Sequence, residues 1–120
     1  MANIMIADDS DAIRMVLKDF LLLSDHNVIG EARDGQEAID LCLHLNPDLL
    51  LLDLAMPKKD GSTVVKELIA HKTSTKIVLI TASDDQRTIQ NCLDLGAVSY
   101  IAKPFQITTI LKTISDVLAK

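Results

Sequence analysis

The stretch that decides the fold is Asp48-Leu-Leu-Leu-Leu-Asp53-Leu-Ala-Met-Pro57-Lys-Lys-Asp-Gly61, in which an unbroken leucine run stops at an aspartate. An apolar run of this length, bounded by turn residues, is typical of a strand buried on both faces in a parallel sheet. Pro57 has no amide hydrogen with which to continue the pairing, and Gly61 can supply a tight or left-handed turn. Asp53 is therefore predicted at the carboxyl end of a central strand, where open α/β sheets bind ligands. On this stretch alone, Asp53 could equally end a strand and cap a turn.

Composition restricts the class of protein. The chain has 120 residues, the length of one domain, and its 48% hydrophobic content is sufficient for a core. Because aromatic residues make up only 2% of the chain, leucine, isoleucine and valine must fill that core. The net charge of −5 argues against nucleic acid or an anionic membrane as the main partner, but not against a metal ion.

The cysteines and the amino end indicate the compartment. Cys42 and Cys92 lack metal-site spacing, and each falls on the apolar side of a predicted helix, which favours buried reduced thiols over a disulfide or a catalytic role. The amino end lacks a signal-peptide pattern, and no apolar run approaches the ~20 residues that span a bilayer. We therefore expect a soluble cytoplasmic protein.

Strands and helices are predicted to alternate along the whole chain. Helical spacing of apolar residues follows each of five apolar runs, which are Asn3–Ala7, His26–Ala32, the leucine run ending at Asp53, Lys76–Thr81 and Ser99–Ala102. This alternation predicts an α/β fold with a doubly wound, five-stranded parallel sheet and helices on both faces.

Several residues are predicted to set the helix ends and faces. Ser10 is a plausible N-cap, Asp34 opens a capping box with Glu37, and Asp84 or Asp85 caps the fourth helix, which Gly96 closes. In the first helix, Ile13, Val16, Leu17, Phe20 and Leu21 are predicted inward, with Arg14, Lys18 and Asp19 outward.

Polar residues follow successive strands and should share one edge, because parallel strands all point the same way. They are Asp8 and Asp9, then Asp53, then Thr81 with Ala82, and finally Lys103. Each has an ordinary explanation as a helix-start acid, a strand end or a solvated lysine. Four strand ends that all deliver chemically matched groups are much less probable by chance.

The chemistry of this set is definite. Clustered carboxylates raise one another's pKa unless a cation neutralises them, and Mg²⁺ takes such oxygens together with water and phosphate oxygens. A carboxylate beside Mg²⁺ can attack phosphorus and form an aspartyl phosphate. An ammonium and a hydroxyl can hold the phosphoryl oxygens, and Ala82 leaves room for them. The pattern therefore predicts a metal and phosphate site.

These residues resemble the receiver domain of bacterial-type response regulators, in particular the single-domain, chemotaxis CheY-like type, over essentially residues 1–120. The carrying motifs are Asp8-Asp9, Asp53 with Met56-Pro57 and Gly61, Thr81-Ala82, and Lys103-Pro104-Phe105. The resemblance implies a flavodoxin-like fold with strand order 2-1-3-4-5. It also implies that Asp53 accepts a phosphoryl group from a sensor histidine kinase or a histidine phosphotransfer protein.

The resemblance also assigns metal ligands. It implies that Asp9 and Asp53 bind Mg²⁺ directly, with Mn²⁺ as an alternative, that Asp8 acts through a water, and that the backbone carbonyl of Ala55 is a further ligand. Ala55 and Ser83 fall at positions that tune hydrolysis in the family, so the lifetime of the phosphorylated state is left open.

The phosphoryl grip and the switch are assigned in the same way. Thr81 and Lys103 match the residues that hold the phosphoryl group, and the Lys103–Pro104 bond is expected to be cis. Tyr100 matches an aromatic switch residue that turns inward with Thr81 and changes the face formed by the fourth helix, fifth strand and fifth helix. The alternative for Tyr100 is a partly exposed strand aromatic.

The predicted function is a phosphorylation-controlled signalling switch that binds a downstream protein through that face, with chemotaxis preferred. Alternatives are a phosphorelay intermediate and the receiver part of a longer transcriptional regulator cut at Lys120. We expect a monomer that contacts neither nucleic acid nor membrane and turns over no separate substrate. The alternative of another class is an Asp-nucleophile phosphatase-like enzyme, although such a phosphatase normally has a second acid where Ala55 stands. A P-loop hydrolase needs G-x-x-x-x-G-K-[ST], which the chain lacks. The complete set of site residues disfavours a phosphate-independent binding module.

Overall fold

A computed structural model describes residues 2–82 and 86–119, in which five strands alternate with five helices. The elements are β1 (Asn3–Ala7), α1 (Asp11–Leu23), β2 (Asn27–Ala32), α2 (Gly35–Leu45), β3 (Leu49–Asp53), α3 (Gly61–Ala70), β4 (Lys76–Thr81), α4 (Gln86–Leu95), β5 (Ser99–Ala102) and α5 (Ile107–Leu118). The predicted cap at Asp84 or Asp85, the tuning position Ser83 and the end at Lys120 lie outside the described residues.

The strands form one parallel sheet in the order β2-β1-β3-β4-β5, which confirms the predicted fold and strand order. Helices α2, α3 and α4 pack on one face, and α1 and α5 pack on the other. None of the helices within the described ranges has both the length and the apolar character that a bilayer span requires.

Strand β3 lies at the centre of the sheet, and its four leucines have no exposed surface. Leu50 and Leu52 face the layer of α2, α3 and α4, whereas Leu49 and Leu51 face the layer of α1 and α5. Because both faces are covered, the strand needs no polar alternation. The unbroken leucine run is therefore explained by two-sided burial, and Asp53 is the last residue of the strand.

Side-chain caps begin three of the helices. Ser10 accepts a hydrogen bond from the Ile13 amide at 3.2 Å, and Asp34 accepts one from the Glu37 amide at 2.8 Å, as predicted. The reciprocal half of the capping box differs, because the Glu37 carboxylate accepts from the Arg33 amide. Asp60 caps α3 in the same way, because its side chain accepts a hydrogen bond from the Thr63 amide. This cap was not predicted from the sequence.

The predicted faces of α1 are wrong at two positions. Arg14 is only 7% exposed, although we expected it outward, and Val16 is 39% exposed, although we expected it inward. Arg14 is buried because the carbonyl of Asp8 and the carboxylate of Glu31 accept its guanidinium hydrogens. Apolar periodicity alone cannot reveal acceptors that come from another strand.

Both cysteines are free and buried, as predicted. Burial raises the pKa of the Cys42 and Cys92 thiols, so both remain protonated at neutral pH. Cys42 also lies 3.7 Å from the hydroxyl oxygen of Thr75, in a buried contact between α2 and the start of β4. The thiols therefore contribute to packing and lie away from the cleft described below.

Gly61 does not form the predicted turn; it is the first residue of α3, and the left-handed residue of the loop is Lys58, with a φ of 68°. A Cβ at Gly61 would lie 2.7 Å from the Leu54 Cα and 3.2 Å from the Asp53 carbonyl oxygen. The glycine is required because α3 begins against the backbone that leaves β3.

Gly61→Ala should therefore lower the free energy of unfolding by about 1–3 kcal/mol, the usual cost of overpacking a closely packed site. Gly30→Ala is the matched control, because its Cβ would meet side chains rather than backbone: the flexible end of Leu45, at 2.7 Å from the Cδ1 atom, and the Cγ atom of Met5 at 3.7 Å. Urea unfolding followed by circular dichroism measures both variants. Equal stabilities would contradict the proposed constraint at Gly61.

Candidate functional site

The carboxyl edge of the sheet brings the predicted site residues together. A cleft of about 510 Å³ opens there, and it is lined by Asp9, Asp53, Leu54, Ala55, Thr81, Ala82, Thr88 and Lys103. These residues come from the last positions of β3 and β4, from the segments that follow β1, β3, β4 and β5, and from the first turn of α4. The convergence follows from the parallel sheet, in which all strands end at the same edge.

Three carboxylates form the acidic part of the site. One oxygen each from Asp8, Asp9 and Asp53 lies within 4.8 Å of the other two. Asp8 and Asp53 are 2% and 5% exposed, whereas Asp9 is exposed. Asp8 is held by the Ser10 amide, which donates to its Oδ1 atom at 2.9 Å. This group could hold a metal ion, since oxygen ligands at such spacing suit a hard divalent cation.

Lys103 places a positive charge against these acids. Its Nζ atom lies 3.0 Å from Oδ2 of Asp8 and 3.6 Å from Oδ1 of Asp53. The backbone holds this position, because the Lys103 amide donates to the Thr81 carbonyl at 2.8 Å. The Lys103–Pro104 peptide bond is cis, the isomer that the resemblance implied.

Burial raises the pKa of the Asp53 carboxyl, and repulsion from the Asp8 carboxylate raises it further. The ammonium of Lys103 and the amide of Ala55 oppose this rise, and the amide donates to Oδ1 of Asp53 at 3.3 Å. Asp9 adds a smaller repulsion. Since, among the described residues, Lys103 pairs with only two of the three clustered carboxylates, the donor set fits an additional divalent cation, whose charge would favour the ionised form of Asp53.

Two further residues of the predicted site, Ala55 and Tyr100, are exposed, unlike the buried carboxylates of Asp8 and Asp53. Ala55 lines the cleft and is exposed, so its side chain leaves the space beside Asp53 open. Tyr100 lies on β5 opposite Leu79 and is 43% exposed, which matches the reading of a partly exposed strand aromatic.

Two residues near the site, Thr88 and Arg14, were not predicted from the sequence. Thr88 lines the cleft from the first turn of α4, where a threonine carries no distinctive signal. Arg14 donates to the Asp8 carbonyl at 2.6 Å, although helical periodicity placed it outside. A basic residue six positions after the first acid is too common a pattern to identify such a contact.

Comparison with known proteins decides the family. The family model described as "Response regulator receiver domain" matches residues 4–115. The chain belongs to the response regulator receiver domain family. Receiver domains generally bind Mg²⁺, interact with histidine kinases and downstream targets, and typically do not turn over a separate substrate.

Similar proteins support a CheY-like receiver of a two-component signal-transduction system. The chain is 33% identical to chemotaxis protein CheY of Bacillus subtilis over 116 residues, 97% of each chain. It is 38% identical to transcriptional regulatory protein PdtaR of Mycobacterium tuberculosis over 112 residues, 93% of this chain and 54% of PdtaR. This receiver thus spans about half the length of PdtaR.

Solved receiver structures share the fold. The structure described as the CheX-CheY-BeF3-Mg+2 complex from Borrelia burgdorferi matches 98% of this chain and 90% of its own, with a TM-score of 0.93 and 29% identity. The signal receiver domain of the response regulator NarL from Mycobacterium tuberculosis matches with a TM-score of 0.91 and 32% identity over 96% and 94% of the chains.

The raised pKa of Asp53 makes a prediction about stability in the absence of metal. A buried acid with a raised pKa resists ionisation, so the stability that its protonated form contributes is fully present below the unfolded pKa, about 4, and is lost as pH rises from there through the raised pKa of the folded state. Asp53→Asn cannot ionise, and the variant should be more stable than wild type at pH 7 in EDTA. The difference should vanish near pH 3.

Urea unfolding across this pH range measures the effect, and Asp48→Asn, at the opposite end of β3, is the matched control. Mg²⁺ at about a hundredfold its dissociation constant should add about 2.7 kcal/mol to the stability of wild type and far less to that of Asp53→Asn. A less stable Asp53→Asn at pH 7 would contradict the assigned electrostatics.

Proposed function

We propose that this receiver accepts a phosphoryl group on Asp53 in a Mg²⁺-dependent reaction and thereby switches its binding to another protein. The observation that carries the proposal is the position of Asp53, a buried carboxylate at the end of β3 that lines the cleft. Its Oδ1 atom lies 3.6 Å from the Nζ atom of Lys103. Asp8 and Asp9 lie beside it.

In the proposed reaction, a carboxylate oxygen of Asp53 attacks the phosphorus of a phosphohistidine on a sensor histidine kinase or a histidine phosphotransfer protein. The phosphorus–nitrogen bond breaks, and its electron pair returns to the imidazole of the donor. Lys103 already lies between two carboxylates and can follow the negative charge onto the phosphoryl oxygens. Thr81 lines the same cleft and would hold a phosphoryl oxygen through its hydroxyl.

Asp9 and Asp53 would hold Mg²⁺ directly, Asp8 would act through a water, and the carbonyl of Ala55 would be a further ligand. The three clustered carboxylates support this assignment. When bound, the ion supplies charge neutralisation for the phosphoryl oxygens, and Mn²⁺ would serve in the same way.

The proposed switch connects the cleft to β5, the edge strand beside β4. Thr81 ends β4 beside Ala102, and Tyr100 lies two residues earlier on β5, 43% exposed. Movement of Thr81 towards a phosphoryl group would favour an inward Tyr100 and change the face formed by α4, β5 and α5. Such a change is a shift between two populated states.

A role in chemotaxis is supported by CheY of Bacillus subtilis, which this receiver matches along nearly its whole length. The receiver part of a longer transcriptional regulator is the second candidate, favoured by the 38% identity to PdtaR. In both cases residues 1–120 would act as one receiver domain, cytoplasmic and monomeric, with no direct contact to nucleic acid. A phosphorelay intermediate is chemically equivalent at the cleft.

Asp53→Asn should abolish phosphorylation by acetyl phosphate with Mg²⁺, because an amide is a poor nucleophile. Intact-mass spectrometry measures the added phosphoryl group directly. Asp48→Asn is the matched control and should be labelled like wild type, since its carboxylate binds the Asn3 amide at the other end of β3. Unchanged labelling of Asp53→Asn would refute the phosphoacceptor assignment.

Lys103→Ala should bind Mg²⁺ at least as tightly as wild type, because it removes a cation from among the carboxylates, yet respond poorly to a phosphoryl mimic. Beryllofluoride and Mg²⁺ should shift the NMR signals of Tyr100, α4 and α5 in wild type and much less in the variant. Lys66→Ala, an exposed change on α3, is the control. A full response in Lys103→Ala would count against its role in the switch.

A further inference from the structure

A second cation, this one buried, lies next to the acidic cluster. Arg14, on α1, is 7% exposed, and its Nη1 atom donates to the backbone carbonyl of Asp8 at 2.6 Å. Its Nε atom donates to Oε1 of Glu31 on β2 at 3.1 Å, and its remaining nitrogen pairs with Asp11. One guanidinium therefore links α1, β2 and the turn that follows β1.

The carbonyl that Arg14 holds belongs to the peptide that joins Asp8 to Asp9. On one side of it, the Asp8 amide donates to the Ala32 carbonyl at 3.0 Å. On the other side, the Ser10 amide donates to the Asp8 carboxylate at 2.9 Å. Rotation of the intervening peptide would redirect Asp9, whose side chain is exposed and has little packing to hold it. The contact from Arg14 opposes this rotation.

We propose that Arg14 is a positioning residue for the metal site: it fixes the Asp8–Asp9 turn so that the carboxylates of Asp8, Asp9 and Asp53 converge on one ion. The inference rests on the proposed function, because it takes this cluster as the Mg²⁺ site. It is consistent with the general behaviour of outer-shell partners, which orient metal ligands and whose loss lowers metal affinity.

Charge and geometry make opposite predictions here. A positive charge close to a metal site repels the metal ion, so removal of Arg14 by charge alone should tighten Mg²⁺ binding. Loss of the contact to the Asp8 carbonyl should instead weaken binding, because the carboxylates lose their alignment. The sign of the change in affinity therefore distinguishes a positioning residue from a neighbouring charge.

Lys18 provides a matched control on the same helix. It pairs with the other oxygen of Glu31, with its Nζ atom 3.1 Å from Oε2, and its side chain is 39% exposed. Among the contacts that the structure describes, Lys18 pairs with Glu31, whereas the donor to the Asp8 carbonyl is Arg14. Lys18→Met removes a cation and a Glu31 contact while the Asp8 carbonyl keeps its donor.

The experiment measures the Mg²⁺ dissociation constant of the unphosphorylated protein by isothermal titration calorimetry. Arg14→Met should weaken Mg²⁺ binding about tenfold or more. Lys18→Met should leave the dissociation constant unchanged. Arg14→Lys should weaken binding by a smaller factor, because lysine keeps the charge but lacks the rigid fork that reaches two acceptors. Urea unfolding in EDTA supplies the folded fraction of each variant.

Arg14→Met with wild-type or tighter Mg²⁺ binding would overturn the proposal. If Arg14→Met does not fold, Arg14→Lys decides, since an unchanged dissociation constant in that variant would overturn it equally. Equal weakening in Lys18→Met would assign the effect to Glu31 and reject the role of the Asp8 contact. Wild type that binds no Mg²⁺, or Asp53→Asn that binds it like wild type, would instead refute the proposed metal site, and this inference with it.

Discussion

Burial of β3 on both faces is the constraint on which the rest of the structure depends. Four leucines without exposed surface require helices above and below the sheet, and one face alone could not cover them. Two-sided cover is what parallel strands with right-handed crossovers provide. The same arrangement makes every strand end at one edge, so Asp53 meets the residues that follow β1, β4 and β5.

The fold holds the carboxylates of the site close together although burial and repulsion disfavour the ionised form of Asp53. Two of its three carboxylates are almost fully buried, and burial together with repulsion raises the pKa of Asp53. Lys103 offsets part of this repulsion at Asp53, the Ala55 amide offsets a smaller part, and the Ser10 amide donates to the Asp8 carboxylate. The packed sheet supplies the stability that keeps these groups in place. A site of this kind is primed to bind a cation, because a cation relieves an unfavourable arrangement that the fold already imposes.

Much of this could be predicted from the sequence because the signals were local. The leucine run, the strand-end acids and the cap at Ser10 each depend on neighbours in the chain, and the structure has them as predicted. The predictions for Arg14, Gly61 and Thr88 failed or were missing because residues outside the local sequence pattern determine their positions. Arg14 is buried by acceptors after β1 and on β2, and Gly61 is required by the backbone of Leu54. Thr88 enters the cleft only because α4 packs there.

Lys103 has a further consequence for the resting protein. Its ammonium is a tethered counterion 3.0 Å from Asp8, and any diffusing cation must share the acids with it. A tethered competitor of this kind would lower the affinity for an incoming divalent ion. At the proposed metal site, this competition would favour a reversible association over a permanent one, which suits a component whose occupancy has to follow changing conditions.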